Sequence, residues 1–264
     1  MSPGKQIRMN SIFRKSTGNS VTVVFNHGGI AGPIKGIENP ARVVRSCVQG
    51  GSDAILAPRG FVKAAIAELD RSISLILRLS GGFTVLGGKF EEQIISSPEA
   101  ALMYGADGAA ATVKFGHVRE AEFTRQASLL ADSCERWAMP LMIEALVNGK
   151  NLNSTDPRCV KLAARAAQEI GADIVKTCYT GSPESFREVV EGCPAPILVL
   201  GGEKRDSLEA VFKDVYYAMQ AGARGIAIGR NIWQHENVRA VVEAMVGLVH
   251  EGWSVNQALN HLRR

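Results

Sequence analysis

The sequence predicts a single (β/α)8 barrel, and two observations carry that prediction. Short apolar runs rich in Val, Ile and Leu recur along the chain, and a helical pattern follows each of them. Uninterrupted apolar runs are typical of strands buried on both faces, and the helices between them provide the crossovers that parallel strands need. Eight such units in 264 residues, about 33 residues each, fit a barrel. A doubly wound sheet usually has roughly five to seven strands and a Gly-rich first turn.

The predicted strands are bounded by the apolar runs themselves. In chain order they are Val21–Phe25, Asp53–Ala57, Ser74–Leu79, Gly108–Val113, Pro140–Leu146, Asp173–Cys178, Ile197–Leu200 and Gly225–Ile228. A glycine just before several of them predicts the end of the preceding helix, at Gly50-Gly51, Gly105, Gly171 and Gly222. Glycine suits the left-handed position that follows a helix C-terminus.

One domain over residues 1–264 is the simplest interpretation of the chain. No Pro/Gly/Ser-rich linker and no shift in composition divides it. Residues 1–18 are expected to form a short basic N-terminal extension. The residues after Trp253 are expected to form a short C-terminal helix.

Composition and charge exclude several classes of function. Hydrophobic residues make up 46% of the chain and charged residues 21%, as in an ordinary globular protein. The 30 Lys and Arg exceed the 26 Asp and Glu by only four, without a basic block, so a nucleic-acid partner is not expected. No apolar stretch of about 20 residues and no signal-peptide pattern is present, so we expect no membrane partner and a cytoplasmic location.

Cysteine and histidine spacing argue against a metal centre. The five cysteines form no CxxC pair, and the five histidines show no HxH or HExxH spacing. We therefore expect reduced thiols, no metal and no cofactor.

Lys176 is the most informative polar residue, because the active site of a barrel lies at the C-terminal ends of its strands. It interrupts the apolar run Asp173–Tyr179, where a buried ammonium group costs free energy. Burial and repulsion from Lys114 or Arg78 would favour the neutral amine, which could attack a carbonyl and form a Schiff base. The alternative is a structural lysine paired with Glu144 on the neighbouring strand.

Two turns predict a phosphate site. Gly201-Gly202 and Gly229-Arg230 follow the seventh and eighth predicted strands, where barrels commonly bind phosphate through backbone N–H groups. Arg230 would add a charge-assisted contact. Each turn alone could be no more than a tight turn. Three other cationic residues at strand ends are further candidates for substrate binding, namely Arg59, Arg78 and Lys114.

Taken together, these segments resemble the class I, Schiff-base aldolases of the archaeal fructose-bisphosphate aldolase type. That group shares a superfamily with deoxyribose-phosphate aldolase and the autoinducer-2 processing enzyme. The resemblance covers nearly the whole chain and is carried by Val24–Gly28 with Gly32-Pro33, Pro58–Gly60, Gly171–Gly181, Gly201-Gly202 and Gly225–Gln234.

The resemblance implies roles for individual residues. Lys176 falls where the family has its Schiff-base lysine. The glycines and arginine of the two turns, Gly201, Gly202, Gly229 and Arg230, fall where it holds a substrate phosphate. The resemblance also implies a homo-oligomer, since the family commonly forms rings such as decamers built from pentamers.

Two positions depart from the sugar-phosphate aldolases. Their usual Asp-His-Gly reads Asn26-His27-Gly28 here, and an amide cannot take a proton as a carboxylate does. Leu146 stands where their fifth-strand tyrosine acts as acid or base, and the autoinducer-2 branch also lacks that tyrosine. Glu144 shares a strand face with Leu146 and is the only carboxylate that the strand ends place in the barrel mouth. We therefore expect Glu144, with Asn26 and His27, to complete the catalytic set around Lys176. For Glu144 the alternative is a buried ion pair with Lys176 or Lys114.

Three functions are compatible with these residues. The first is a lyase that cleaves or forms a carbon–carbon bond in a phosphorylated keto compound through a lysine Schiff base. The second is transfer of an acyl or ketol fragment in the same site, as in thiolase-type and transaldolase-type relatives. The third is a barrel that binds phosphosugars without catalysis.

Overall fold

The computed structural model describes residues 1–70, 72–87 and 91–263. Within these ranges eight parallel strands close into a barrel, which confirms the predicted fold class. The strands of the barrel are β1 (Ser20–Val24), β2 (Ala54–Ala57), β3 (Ser74–Arg78), β6 (Gly108–Phe115), β7 (Leu141–Val147), β8 (Ile174–Thr177), β9 (Ile197–Leu200) and β10 (Gly225–Ile228). They follow one another around the barrel in chain order, and β1 closes it by pairing with both β2 and β10.

A short antiparallel pair lies outside the barrel sheet. It consists of β4 (Ser80–Gly81) and β5 (Gln93–Ile94), in which Ser80 pairs with Ile94. Because β4 begins two residues after β3 ends, this pair returns the chain to the mouth of the barrel.

Helices connect and flank the strands. They are α1 (Pro3–Ile12), α2 (Gly28–Ala31), α3 (Pro40–Gln49), α4 (Arg59–Ala65) continued by a 3₁₀ turn (Ile66–Glu68), α5 (Pro98–Met103), α6 (Glu120–Arg136), α7 (Pro157–Glu169), α8 (Pro183–Glu191), α9 (Leu208–Gln220), α10 (Arg230–Trp233), α11 (Val238–His250) and α12 (Val255–Leu262). In the described part of the chain, no helix is both long and apolar enough to cross a membrane.

Local sequence sets where the helices begin and end. Helices α3, α5, α7 and α8 each start with proline after an Asn, Ser or Asp whose side chain accepts a backbone N–H of the first turn. The predicted stop glycines Gly51, Gly105, Gly171 and Gly222 have φ values of +82°, +68°, +106° and +102°, which confirms the left-handed conformation expected of them.

The N-terminal segment closes the bottom of the barrel. Residues 3–12 form helix α1, and Met9, Ile12 and Phe13 pack with the apolar side chains that fill the barrel interior. Three aspartates that precede β2, β6 and β8 accept backbone N–H groups of the neighbouring strand, namely Asp53 from Val21 at 2.7 Å, Asp107 from Leu75 at 3.2 Å and Asp173 from Leu141 at 2.9 Å. This end of the barrel is therefore sealed.

The barrel interior changes from apolar to polar along each strand. Ile76, Ala110, Met142 and Ile174 form part of the apolar cluster inside the barrel. Because strand side chains repeat with period two, the next inward-facing residues on the same strands are Arg78, Thr112, Glu144 and Lys176. One polar layer thus lies directly above the core, at the C-terminal end where the strands open to solvent.

Candidate active site

A cavity of about 370 Å³ opens above this polar layer. Its lining joins residues from most of the strand ends, including Asn26, His27, Glu92, Glu144, Leu146, Lys176, Gly201, Gly202, Glu203, Gly229 and Arg230. A smaller cavity of about 100 Å³ adjoins it and shares Asn26, Ile30 and Glu92 with it. We call the larger cavity the cleft.

Lys176 and Glu144 form an ion pair at the base of the cleft. The two residues are register partners on β8 and β7, and Lys176 Nζ lies 2.5 Å from Glu144 Oε1. Lys176 is only 4% exposed. The pair that the sequence offered as an alternative is therefore present, and it lines a cavity.

The second oxygen of Glu144 is held by two other strands. Thr112 Oγ1 donates to Glu144 Oε2 at 2.7 Å, and Arg78 Nη1 donates to the same oxygen at 3.2 Å. Burial acts to raise the pKa of Glu144, but the charges of Lys176 and Arg78 outweigh it and hold the pKa well below its usual range. Glu144 is therefore a carboxylate at neutral pH.

Lys114 lies in the same region but outside the lining of the cleft. It follows Thr112 on the inward face of β6, is 1% exposed, and its Nζ lies 5.7 Å from the ring centre of Phe83. Burial lowers the pKa of Lys114 to about 8, with Glu92 and Glu91 opposing the change. A positive charge on Lys114 is thus only weakly favoured.

The two glycine turns lie where the sequence predicts, and Asn231 fixes them. Asn231 is fully buried, and its Nδ2 donates to the carbonyl oxygens of Gly201 and Glu203, both at 2.8 Å. Gly229 passes so close to β1 that an added Cβ would lie 2.6 Å from the Val24 carbonyl oxygen. A side chain at position 229 would therefore displace the turn.

Three polar atoms around the cleft are buried without a hydrogen-bond partner among the described residues. They are Arg230 Nε, Asn26 Oδ1 and His27 Nδ1. Arg230 is oriented by a 3.0 Å bond from its Nη2 to the Gly202 carbonyl oxygen. Buried polar groups are nearly always paired, so unpaired ones that line a cavity are suited to a ligand.

His27 is neutral at pH 7. Burial lowers the pKa of His27 to about 4, and the charges of Arg230 and Lys176 act in the same direction. Its ring meets Trp233 edge-on at 5.8 Å between ring centres. The imidazole can therefore accept or donate a hydrogen bond in the cleft without adding charge.

The structure brings most of the predicted site residues together. Asn26, His27, Glu144, Lys176 and the four residues of the glycine turns all line the cleft, as does Leu146. Arg78 lines the adjoining small cavity instead. Arg59 is exposed, lies outside both linings and donates to the Ile95 carbonyl oxygen at 3.3 Å, so its role in substrate binding stays a prediction.

The expectation that Glu144 is the only carboxylate in the mouth is wrong. Glu92 and Glu203 also line the cleft, and Glu92 is 3% exposed. Glu92 precedes β5 rather than ending a barrel strand, so the strand-end rule could not find it. The only local signal was a pair of acidic residues, Glu91-Glu92, followed by a short polar-apolar segment.

Comparison with known proteins supplies the chemistry that fits this geometry. The model of the DeoC/LacD family aldolases matches residues 20–235. A 2-amino-3,7-dideoxy-D-threo-hept-6-ulosonate synthase of Archaeoglobus fulgidus is 32% identical, over 98% of this chain and 95% of the relative. A 3-hydroxy-5-phosphonooxypentane-2,4-dione thiolase of Escherichia coli O139:H28 is 31% identical, over 97% of this chain and 85% of the relative.

One solved structure is similar to this chain over nearly its whole length. It is an archaeal fructose-1,6-bisphosphate aldolase whose catalytic lysine is covalently bound to the carbinolamine intermediate of the substrate. The TM-score is 0.84 at 30% identity, covering 93% of this chain and 99% of that one. The family is described as one of aldolases, which favours an enzyme over a non-catalytic barrel. The chain belongs to the DeoC/LacD family of aldolases, and this membership supports the lyase class for it.

Proposed function

We propose that Lys176 is the lysine that forms the Schiff base, with the ketone of a small phosphorylated substrate bound in the cleft. The observation that carries this proposal is the position of its amine, buried at the base of a cavity and 2.5 Å from a carboxylate. The amine adds to the carbonyl carbon, and loss of water then gives an iminium. When the adjacent carbon–carbon bond breaks, its electron pair moves into the iminium and forms an enamine.

Glu144 is proposed as the proton acceptor for this sequence. An ammonium group cannot attack a carbonyl, so Lys176 must first lose a proton, and Glu144 Oε1 is the group that contacts it. Glu144 then returns this proton to the departing hydroxyl of the carbinolamine as water leaves, and its restored negative charge stabilises the positive iminium. Cleavage also releases the proton of the substrate hydroxyl, which a base in the cleft must accept. Asn26 and the neutral His27 would hydrogen-bond the substrate oxygens.

The phosphate is proposed to lie at the glycine turns. The backbone of Gly201-Gly202 and the guanidinium of Arg230 line one side of the cleft, and Arg230 Nε has no partner among the described residues. Strands β9 and β10, which carry these turns, lie across the barrel from β3 and β6, which carry Arg78 and Lys114. A substrate held at the turns would therefore extend over Lys176 toward the second group of cations.

Trapping with borohydride tests the proposal directly. The protein is incubated with dihydroxyacetone phosphate or fructose 1,6-bisphosphate and reduced, and the adduct is located by peptide mass mapping. We expect a ligand-dependent mass increase on Lys176 that disappears in Lys176→Met and persists in Lys161→Met, which replaces an exposed lysine. An adduct on Lys114, or one that survives in Lys176→Met, would contradict the assignment.

Fragment transfer is a second candidate for the same site. Leu146 lines the cleft where the sugar-phosphate aldolases resemble one another in a tyrosine, and a relative of 31% identity is named as a thiolase. In this case the substrate has a second carbonyl group β to the ketone, and a thiol adds to that carbonyl. The carbon–carbon bond then breaks to release a thioester, and its electron pair moves into the iminium as in the lyase. Product analysis with and without an added thiol separates the two. A thioester formed from a phosphorylated 1,3-dicarbonyl compound only with the thiol indicates transfer, and an aldehyde formed from fructose 1,6-bisphosphate in both reactions indicates a lyase.

Three further expectations stay predictions: one domain over the whole chain, a homo-oligomer and a cytoplasmic location. Light scattering coupled to size-exclusion chromatography measures the assembly directly. A mass near 28.3 kDa would contradict the homo-oligomer.

A further inference from the structure

Arg78 is shared unequally between two buried carboxylates. Its Nη2 lies 2.5 Å from Glu92 Oε1 and 2.6 Å from Thr112 Oγ1, whereas its Nη1 lies 3.2 Å from Glu144 Oε2. Arg78 and Glu92 are 7% and 3% exposed. The guanidinium is thus held mainly by Glu92.

Ser80 fixes Glu92 in turn. The Ser80 hydroxyl donates to Glu92 Oε2 and accepts the backbone N–H of Thr112 at 3.1 Å. Both oxygens of Glu92 are therefore bound, one by Arg78 and one by Ser80. The β4–β5 pair brings Glu92 to this position from outside the barrel sheet.

The bond between Glu92 and Arg78 determines which cation pairs most closely with Glu144. A guanidinium and a carboxylate form a strong two-point pair when nothing competes for either. If Arg78 had no other carboxylate, it would pair fully with Glu144 and compete with Lys176. The unequal distances show the opposite outcome, since Glu144 lies closer to Lys176 than to Arg78.

We propose that Glu92 is a positioning residue, which holds Arg78 away from Glu144 and so leaves the charge of Glu144 to Lys176 and to the iminium formed on it. The inference rests on the proposed role of Lys176. Glu92 acts through Arg78 and Glu144, without a bond to the lysine.

The pH dependence of adduct formation reports this effect, because only the neutral amine attacks the ketone. The other ionisable groups around Lys176 come from every side of the mouth: Glu144, His27, Arg78, Lys114, Glu203 and Arg230, with Cys178 on its own segment. None of them is altered in the single variants described next. Glu92 and Glu91 both act on the pKa of Lys114, so Glu91→Gln shows how far a change at Lys114 alone moves the profile.

The main test compares Glu92→Gln with Glu91→Gln. Glutamine keeps the size of Glu92 and removes its charge, whereas Glu91 pairs with Arg119 and does not line the cleft. The initial rate of borohydride trapping with dihydroxyacetone phosphate is measured from pH 5 to 9. The acid limb is the part of the profile where the rate rises as the ammonium group of Lys176 loses its proton. In Glu92→Gln we expect it to move to lower pH by about one unit, because Arg78 then pairs with Glu144 and the ammonium form loses its counter-charge. In Glu91→Gln we expect it to stay in place. An unmoved limb in Glu92→Gln would overturn the proposal.

Two further variants separate charge from packing and keep the test valid if Glu92→Gln does not fold. Glu92→Asp keeps the charge but leaves a gap, so the proposal expects a limb closer to native than in Glu92→Gln, and a packing role expects the reverse. Arg78→Gln/Glu92→Gln removes both buried charges together. Its limb is expected at or above the native pH, since Lys176 then remains as the cation in direct contact with Glu144; a limb displaced downward would contradict the proposal.

The trapping experiments distinguish failure of the proposed function from failure of the inference about Glu92. If native protein gives no adduct on Lys176 with any phosphorylated ketone, the proposed function fails. If the adduct forms on Lys176 and the acid limb of Glu92→Gln stays at the native pH, only the inference about Glu92 fails.

Discussion

Two buried lysines lie near opposite ends of the same strand. Lys5, on α1, is 3% exposed and contacts Asp173, which precedes β8; Lys176, near the end of β8, is 4% exposed and contacts Glu144. Residue type, burial and the presence of a carboxylate are the same at both ends. What differs is how completely the surrounding polar groups are paired.

At the closed end the lysine is fully satisfied. Lys5 contacts both Glu135 and Asp173. Burial acts to lower the pKa of Lys5, but the two carboxylates together raise it, so the group stays an ammonium. At the open end Glu144 is divided between Lys176 and Arg78, and nearby atoms of Arg230, Asn26 and His27 lack partners among the described residues. The proposed catalytic lysine is thus the one whose surroundings keep unpaired polar atoms, as a ligand site requires.

The largest expected effect comes from Lys176→Met. Loss of the nucleophile should lower turnover by about 10⁴-fold or more and abolish borohydride trapping. The fold should persist, because Glu144 keeps its bonds from Arg78 and Thr112. Circular dichroism checks the fold. Residual turnover above a thousandth of native would contradict the assignment of Lys176 as the reactive lysine and Lys5 as the structural one.

The barrel could be predicted because its signals are local. The strands Ile197–Leu200 and Gly225–Ile228 match the prediction residue for residue, and the largest difference is β6, which continues to Phe115 instead of ending at Val113. Apolar runs and helix-stop glycines act over a few residues. Helix α1 was not predicted, because it is stabilised by packing against apolar side chains of the barrel interior. The sequence alone predicted only a short basic extension.

The site could be predicted only where it follows the strand ends. Lys176, Glu144 and Arg230 obey that rule and line the cleft. Glu92 lies just before β5, outside the barrel sheet, and nothing in its neighbours along the chain indicates that its partner is Arg78. Arg59 shows that position next to a strand end does not by itself place a side chain in the cleft, since it is exposed and outside the lining.

Glu144→Gln and Glu135→Gln together compare the carboxylates that pair with Lys176 and Lys5. We expect turnover to fall by about 10²–10⁴-fold while Lys176 still forms an adduct, because proton transfer is lost and the nucleophile remains. Glu135→Gln, which changes a partner of Lys5, should stay within about twofold of native. Single-turnover rate and melting temperature are measured on the same samples. A large loss of stability with intact turnover in Glu144→Gln would show that this pair is structural as well.

Arg230→Ala tests the phosphate turn against an arginine at the other end of β10. Removing the guanidinium should weaken binding of a phosphorylated ketone by about 10–100-fold, the value of one hydrogen bond to a charged group. Arg224 precedes β10 and lines a separate cavity at the closed end, so Arg224→Ala should leave binding unchanged. Calorimetric titration measures both. Equal loss of affinity for the dephosphorylated analogue would contradict phosphate binding at Arg230.

The smallest effect on activity is expected for Lys5→Met, and it completes the comparison. Turnover per folded molecule should stay within about twofold, since Lys5 lies at the closed end. The free energy of unfolding should fall by about 1–3 kcal/mol, less than for a fully buried pair, because Glu135 is exposed. Because the pKa of Lys5 is raised in the folded state, its stabilisation is complete below the unfolded value of 10.5 and is lost as pH rises through the folded value. Denaturant unfolding at pH 7 and pH 11 measures this: the difference in unfolding free energy between native and variant should narrow at the higher pH, and an unchanged difference would show that Lys5 stabilises by packing instead of charge.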